Sequence, residues 1–319
     1  MNVPFEFADR LKMPLIVAPM FLVSNPKMTI AACRSGVIGS YPAHSTRTRE
    51  VLGEWLVETE NALAEAEAAG ERPAPFAVNL VVHSSNARME GDLELVIQHQ
   101  VPIVLTSKGA PHDVFDRIHD YGGVAFHDVA SARHAEKAVA AGADALIAVA
   151  GGAGGHCGTI NPFALVSEIQ EVTDKPIILA GGLTSGRDVL AAQTMGASLS
   201  YMGTRFIATE ESLAPDAYRE SLIAGKATDI FLSAALDGAP ANWYAPSLVQ
   251  AGIDLDELAV TKPGKIVTSD GQSKQRYKGI WSAGHGIGAT RSVQPMAELC
   301  EQLIAEYHGA RADLVQQFS

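Results

Sequence analysis

Between residues 15 and 203 the chain carries eight short, nearly uninterrupted apolar runs, separated by stretches with helical spacing. The runs are 15–18, 37–40, 76–81, 103–106, 124–127, 144–149, 177–180 and 198–203. A strand covered on both faces needs apolar side chains at nearly every position, whereas a half-exposed strand alternates. Helical patterns occupy 49–69, 92–99, 131–141, 162–172 and 186–195. Thr48 and Ser185 stand at N-cap positions, and Gly70, Gly142 and Gly196 stand where helices should stop. Strict alternation of strand and helix implies a parallel sheet, because parallel neighbours need a crossover between them. Eight such units predict a closed α/β fold, a (β/α)8 TIM barrel. An open doubly wound sheet uses similar crossovers and is not excluded by periodicity; the count of eight favours the barrel.

After Phe206 the pattern changes. Residues 207–279 hold a helix near 216–224, the segment DGAPANWYAP and a polar stretch, TKPGKIVTSDGQSKQRYKG. They read as an insertion after the eighth strand, a small helical subdomain or lid. The chain returns at 280–283 and ends in a helix over about 295–307. The barrel is thus expected from 1–206 plus 280–319, with 207–279 inserted. A length of 319 residues suits one barrel with an insertion, and 47% hydrophobic against 19% charged residues supplies one large core. The net charge of −12 argues against nucleic-acid or anionic-membrane partners, which need clustered Lys and Arg. No stretch approaches the roughly 18 apolar residues of a membrane span. The first residues, MNVPFEFADRLKMP, lack the basic-then-apolar order of a secretory leader. Cys33, Cys157 and Cys300 are widely spaced and form no CxxC pair, so a reducing, cytoplasmic setting is expected. No feature sets an oligomeric state.

Active sites of such barrels lie on the loops that follow the strands. The sixth strand runs into VAGGAGGHCG, 149–158, whose glycines, Gly154 and Gly155 among them, would let backbone approach a flat ligand. His156 in this turn is the candidate general base or hydrogen-bond donor. The bland alternative is a glycine-rich connector bearing a surface His, and the placement favours the functional reading. Cys157 has no basic neighbour besides His156 to activate it and reads as a bystander.

The seventh strand ends in Gly181-Gly182 before a helix, and the eighth in Gly203-Thr204. Loops after these two strands form the common phosphate site of the fold, where N–H groups and a helix N-terminus meet a dianion. Ala18-Pro19-Met20 closes the first strand. Asn79 is polar within the third and needs a partner when buried, from neighbouring backbone or from a ligand. SAGHGIGA, 282–289, offers a superficial dinucleotide fingerprint, but too little chain follows for a second βα unit. His127, Asp128 and His134 lack the spacing of a helical zinc motif, so no metal site is expected. A GxSxG hydrolase elbow is also absent.

Together, APM after strand one, AVN in strand three, AGGHCG after strand six, AGG with GR after strand seven, MGTRF after strand eight and the closing IWSAGHGIG resemble the nitronate monooxygenase family, formerly the 2-nitropropane dioxygenases. The resemblance covers essentially the whole chain and implies an oxidoreductase with noncovalent FMN at the strand C-termini. Ala18, Pro19, Met20 and Asn79 would meet the isoalloxazine, Gly181, Gly182, Gly203 and Thr204 would hold the phosphate, and His156 would be the active-site histidine. Many relatives carry His-Lys where this chain has His127-Asp128. An Asp beside the flavin pyrimidine would not stabilise an anionic reduced flavin as Lys does, and Lys108 is the alternative cation. The implied reaction is oxidation of a small alkyl nitronate with O2 to a carbonyl compound and nitrite. The alternatives are NAD(P)H-dependent FMN reduction of a quinone or enoyl thioester and, further off, a non-redox phosphate-binding barrel.

Overall fold

The computed structural model describes residues 3–83, 86–109, 112–262 and 279–319. Each apolar run folds as expected into a short strand: β1 (Leu15–Val17), β2 (Gly39–Pro42), β3 (Phe76–Val81), β4 (Ile103–Ser107), β5 (Val124–Val129) and β6 (Ala145–Val149). After a two-residue strand outside the barrel, β7 (Gly155–His156), the series ends with β8 (Ile177–Ala180) and β9 (Leu199–Met202). All pairings within the eight-stranded sheet are parallel, in the order β1-β9-β8-β6-β5-β4-β3-β2. A parallel bridge between Ile16 and Ile38 joins the two ends, so the sheet closes into a TIM barrel.

The closure explains the apolar runs. Ile103 and Leu105 of β4 point into the barrel, while Val104 between them packs outward under the helices. Ala145 and Ile147 of β6 repeat this inward pattern, with Leu146 and Ala148 outside. At the N-terminal end a 3-10 turn, Glu6–Arg10, brings Phe5 to 5.0 Å from Phe126 and plugs the interior.

Helices α1 (Pro26–Ser35), α2 (Arg49–Ala68), α3 (Met89–Gln98), α4 (His112–His119), α5 (Ala132–Ala141), α6 (Pro162–Gln170) and α7 (Gly186–Thr194) follow the successive barrel strands up to β8. Thr48 and Ser185 accept N–H bonds from the first turns of α2 and α7, and Ser185 forms a reciprocal capping box with Asp188. The second strand begins two residues later than its apolar run. Val37 N–H is taken by Ala32 at the end of α1, leaving Gly39–Pro42 to pair with β3.

The insertion is not purely helical, which corrects the expectation. After the short α8 (Thr204–Ile207) and α9 (Asp216–Ala224) come β10 (Ile230–Ser233), β11 (Ala241–Tyr244), α10 (Ala245–Gln250) and α11 (Leu255–Val260). Asp237-Gly238 turns the antiparallel pair β10–β11, and β11 then pairs with β7. A separate small core, including Leu236, Trp243, Leu248 and Ile280, lies beneath this sheet. Most of the polar stretch, 263–278, lies outside the described residues. The final helix, α12 (Met296–Gln317), runs longer than expected and packs on α7. A Cβ on Gly186 would lie 2.1 Å from Leu303 O, so only glycine permits that approach. Among the described residues no helix is long and apolar enough to cross a membrane.

Candidate functional site

One side of the barrel mouth is shaped by backbone. β8 leads into Gly181 (φ +130°) and Gly182 (φ +77°), conformations that favour glycine, before α7 begins. A Cβ on Gly182 would meet nothing within 4 Å, so open space faces this turn. β9 leads into Gly203 at the start of α8. The end of β1 lies alongside: Ala18 N–H donates to Met202 O at 2.9 Å, and a Cβ on Gly203 would sit 3.4 Å from Met20 Sδ and 3.5 Å from Ala18 Cβ. The fold therefore gathers Ala18, Pro19, Met20, Gly203 and Thr204 at one edge.

A strap from Ser282 to Ala289 crosses these strand ends. Gly284 N–H donates to Thr204 Oγ1 at 2.9 Å, and His285 N–H donates to Gly152 O at 2.9 Å. The Thr204 oxygen is thus engaged, while among the described residues no group accepts its proton. The strap also explains the glycines after β6 in a way the sequence reading did not. A Cβ on Gly154 would lie 2.8 Å from Gly284 N, and one on Gly152 would lie 3.2 Å from the His285 ring. Glycine at 158 is required by Val149 O, 2.5 Å from its would-be Cβ. These glycines serve close packing of chain on chain; only Gly155 (φ +65°) lacks a crowded Cβ position.

His156 is held in a strand rather than in a free turn. It stands opposite Ala241 of β11, and Cys157 N–H continues the pairing to Pro240 O at 3.0 Å. Asn242 Nδ2 donates to Ala153 O at 2.7 Å, anchoring the same loop from the insertion. The His156 ring is 46% exposed, and its Nε2 lies 2.7 Å from Asp237 Oδ2. Burial acts to raise the Asp237 carboxyl, but the His156 hydrogen bond and charge, with help from Lys108, leave it below the usual carboxylate range. The sequence reading missed Asp237, although the Asp-Gly pair between two apolar runs is a hairpin signal. Cys157 is half-buried, and burial pushes its thiol up to about 11, as befits a bystander.

The third cluster lies at the upper ends of β3 and β5. Asn79 Nδ2 donates to Leu105 O at 3.1 Å on the neighbouring strand. His127 Nδ1 lies 2.8 Å from Thr106 Oγ1, and burial pushes the ring down to about 4, so it stays neutral. Next to it, Asp128 has a buried Oδ1 with no hydrogen-bond partner among the described residues. Burial pushes this carboxyl up to about 7. Across the barrel the phenol of Tyr201 is raised by burial and by the nearness of Asp128. Lys108, with φ +59°, places its charge where it acts on Asp237 and His44.

Known proteins match this chain along most of its length. It is 29% identical over 238 residues to a CoA-thioester dehydrogenase of Rhodococcus jostii, (3aS,4S,5R,7aS)-5-hydroxy-7a-methyl-1-oxo-octahydro-1H-indene-4-carboxyl-CoA dehydrogenase. That match covers 75% of the chain and spans 64% of the relative's length. A nitronate monooxygenase of Paraburkholderia phytofirmans is 28% identical, with 92% of each chain covered. Among solved structures, a FabK variant from Thermotoga maritima superposes with a TM-score of 0.78 at 25% identity, over 99% of this chain and 100% of that one. Nitroalkane oxidase from Streptomyces ansochromogenes shares the fold with a TM-score of 0.81 at 23% identity, covering 96% and 99%. The family model described as nitronate monooxygenase matches residues 85–306, well over half of the sequence. The chain belongs to the nitronate monooxygenase family.

Proposed function

We propose that the protein is an FMN-dependent oxidoreductase that oxidises small alkyl nitronates with O2 to carbonyl compounds and nitrite. The observation that carries this reading is the placement of His156 on the same barrel end as Gly181, Gly182 and Gly203. The name of the Paraburkholderia relative supports the substrate class.

The residues fit FMN on the structure's own terms. Gly182 turns a left-handed backbone toward open space, a cradle that a side chain would fill, and Asp128 keeps an unpartnered buried oxygen. Gly181, Gly182, Gly203 and Thr204 would hold the phosphate, with the Thr204 proton as one donor. Ala18, Pro19 and Met20 would line the isoalloxazine, and Asn79 and Asp128 would meet its polar edge. When bound, FMN supplies the electron-accepting ring, with O2 as co-substrate. His156 binds the nitronate, or removes the α-proton when the substrate arrives as a neutral nitroalkane.

A second reading, an NAD(P)H-dependent FMN reductase of quinones or enoyl thioesters, draws on the FabK likeness and on the CoA-thioester name of the Rhodococcus relative. Anaerobic mixing of the purified yellow protein with nitronate, NADH or NADPH separates the two. The expected result is bleaching of the flavin by nitronate and little by nicotinamide, with FMN as the cofactor released on denaturation. Rapid bleaching by NADH or NADPH alone establishes the reductase, and FAD or no flavin removes the site assignment.

A further inference from the structure

The ion pair between His156 and Asp237 joins two segments far apart in sequence, and its geometry decides which ring nitrogen is free. Asp237 sits in the turn between β10 and β11, with its side chain 17% exposed. Its Oδ1 accepts the Ala239 N–H at 3.4 Å, and its Oδ2 faces His156 Nε2. The nearby positive charge of Lys108 favours the ionised carboxylate. A carboxylate only accepts hydrogen bonds, so the proton between the two residues belongs to Nε2. In a neutral imidazole the other nitrogen is then unprotonated. Among the described residues Nδ1 has no protein partner.

An ion pair on a surface usually contributes little, because two flexible side chains lose entropy in meeting. Here the backbones are fixed first. His156 pairs with Ala241, Cys157 N–H with Pro240 O, and Asn242 Nδ2 with Ala153 O, so the turn bearing Asp237 is clamped over the histidine.

We propose that Asp237 is a positioning residue that holds His156 in the Nε2–H tautomer, making Nδ1 the atom that takes the substrate's α-proton. The inference rests on the reading of His156 as the base toward a nitroalkane. In that step the α C–H bond breaks and the proton passes to Nδ1. The electron pair stays on the substrate and delocalises into the nitro group, giving the nitronate. The resulting imidazolium is balanced by the Asp237 carboxylate. The insertion thus supplies half of a two-residue acid–base unit.

The test combines tautomer and kinetics on the flavin-loaded protein. In 15N-histidine-labelled protein, with the His156 signal assigned through His156→Gln, the wild type should show Nε2 protonated and Nδ1 free. Asp237→Asn, whose amide can donate as well as accept, should lose that preference. Its kcat/KM on a neutral nitroalkane should fall by about 100- to 10,000-fold, the usual contribution of a general base. On preformed nitronate, whose proton is already gone, the fall should be under about 10-fold. Asp237→Glu should restore part of the neutral-substrate rate and of the tautomer. An unchanged tautomer in Asp237→Asn, or equal losses on the two substrates, overturns the proposal. A wild type inactive on nitroalkanes removes the substrate reading, while the tautomer measurement still decides the pairing.

Discussion

The two sides of the barrel mouth are built by different means. At β8 and β9 the site is backbone: Gly181 and Gly182 in left-handed conformations, Gly203 entering α8, and N–H groups that need no particular neighbour. At β6 it is side chains brought from afar, His156 from the barrel and Asp237 from the insertion, held by a three-stranded antiparallel sheet. A backbone-built site depends on a few consecutive residues. A side-chain-built site depends on the tertiary fold and inherits every strain in it.

The largest expected effect tests the backbone side. Gly203→Val places its Cβ against Met20 and Ala18 at ordinary contact distances, and its φ of −110° is not the left-handed region reserved for glycine. The fold should survive while FMN approach is blocked, costing about 100-fold in cofactor affinity. Gly182→Val is the companion: its Cβ meets no atom of the described residues within 4 Å, but it forces a β-branched residue to φ +77°, a strain of about 1–3 kcal/mol. Flavin titration and thermal unfolding separate the two. A folded Gly203→Val that binds FMN as tightly as wild type would show that this edge does not face the cofactor.

Gly154 tests the other side of the comparison. The glycine-rich turn after the sixth strand makes it a candidate for contact with a flat cofactor, yet a Cβ there would press on backbone atoms of Ala283 and Gly284. Gly154→Ala should therefore destabilise the fold by about 2 kcal/mol, by pushing the strap, whether or not flavin is present. Denaturant unfolding with and without FMN reads this directly. A variant of normal stability with selectively weakened FMN binding would return Gly154 to the cofactor site.

The same contrast accounts for what could be read from the chain. Strand runs such as 76–81 and 177–180 are legible because barrel closure buries both faces, so hydrophobicity alone marks them. Ser185 and Gly142 are legible because a cap is a local bond. The Gly181-Gly182 turn belongs to the same kind. Asp237 was hidden because nothing within ten residues of it identifies His156 as its partner. The packing role of Gly152 and Gly154 was hidden for the same reason, since the chain they contact lies beyond residue 280. β10 and β11 are illegible because four-residue strands in an inserted segment show too little alternation to outweigh nearby helical patterns.

The smallest expected effect sharpens the comparison through pH. Backbone N–H groups at β8 and β9 do not titrate in the physiological range, whereas the third cluster carries a side chain that does, Asp128 of β5. Its buried oxygen has no partner, and its carboxyl is pushed from 3.8 up to about 7. In the unfolded chain the group releases its proton near its ordinary value, so between about pH 4 and pH 7 the unfolded state binds fewer protons than the folded one. Stability must then fall as pH rises through that window and level off above it. Asp128→Asn keeps the shape and removes the titration. It should match wild type at pH 4 and exceed it at pH 8 by about 1 kcal/mol or somewhat more, since the side chain as a whole is only partly buried. The measurement is the difference in Tm between variant and wild type at pH 4, 5, 6, 7 and 8, at equal flavin occupancy. A difference that opens between pH 4 and 7 places a neutral acid beside the barrel axis, where it can donate a hydrogen bond that Lys would replace with a charge. A difference that stays flat means Asp128 is ionised in the folded protein and has a partner other than the described residues.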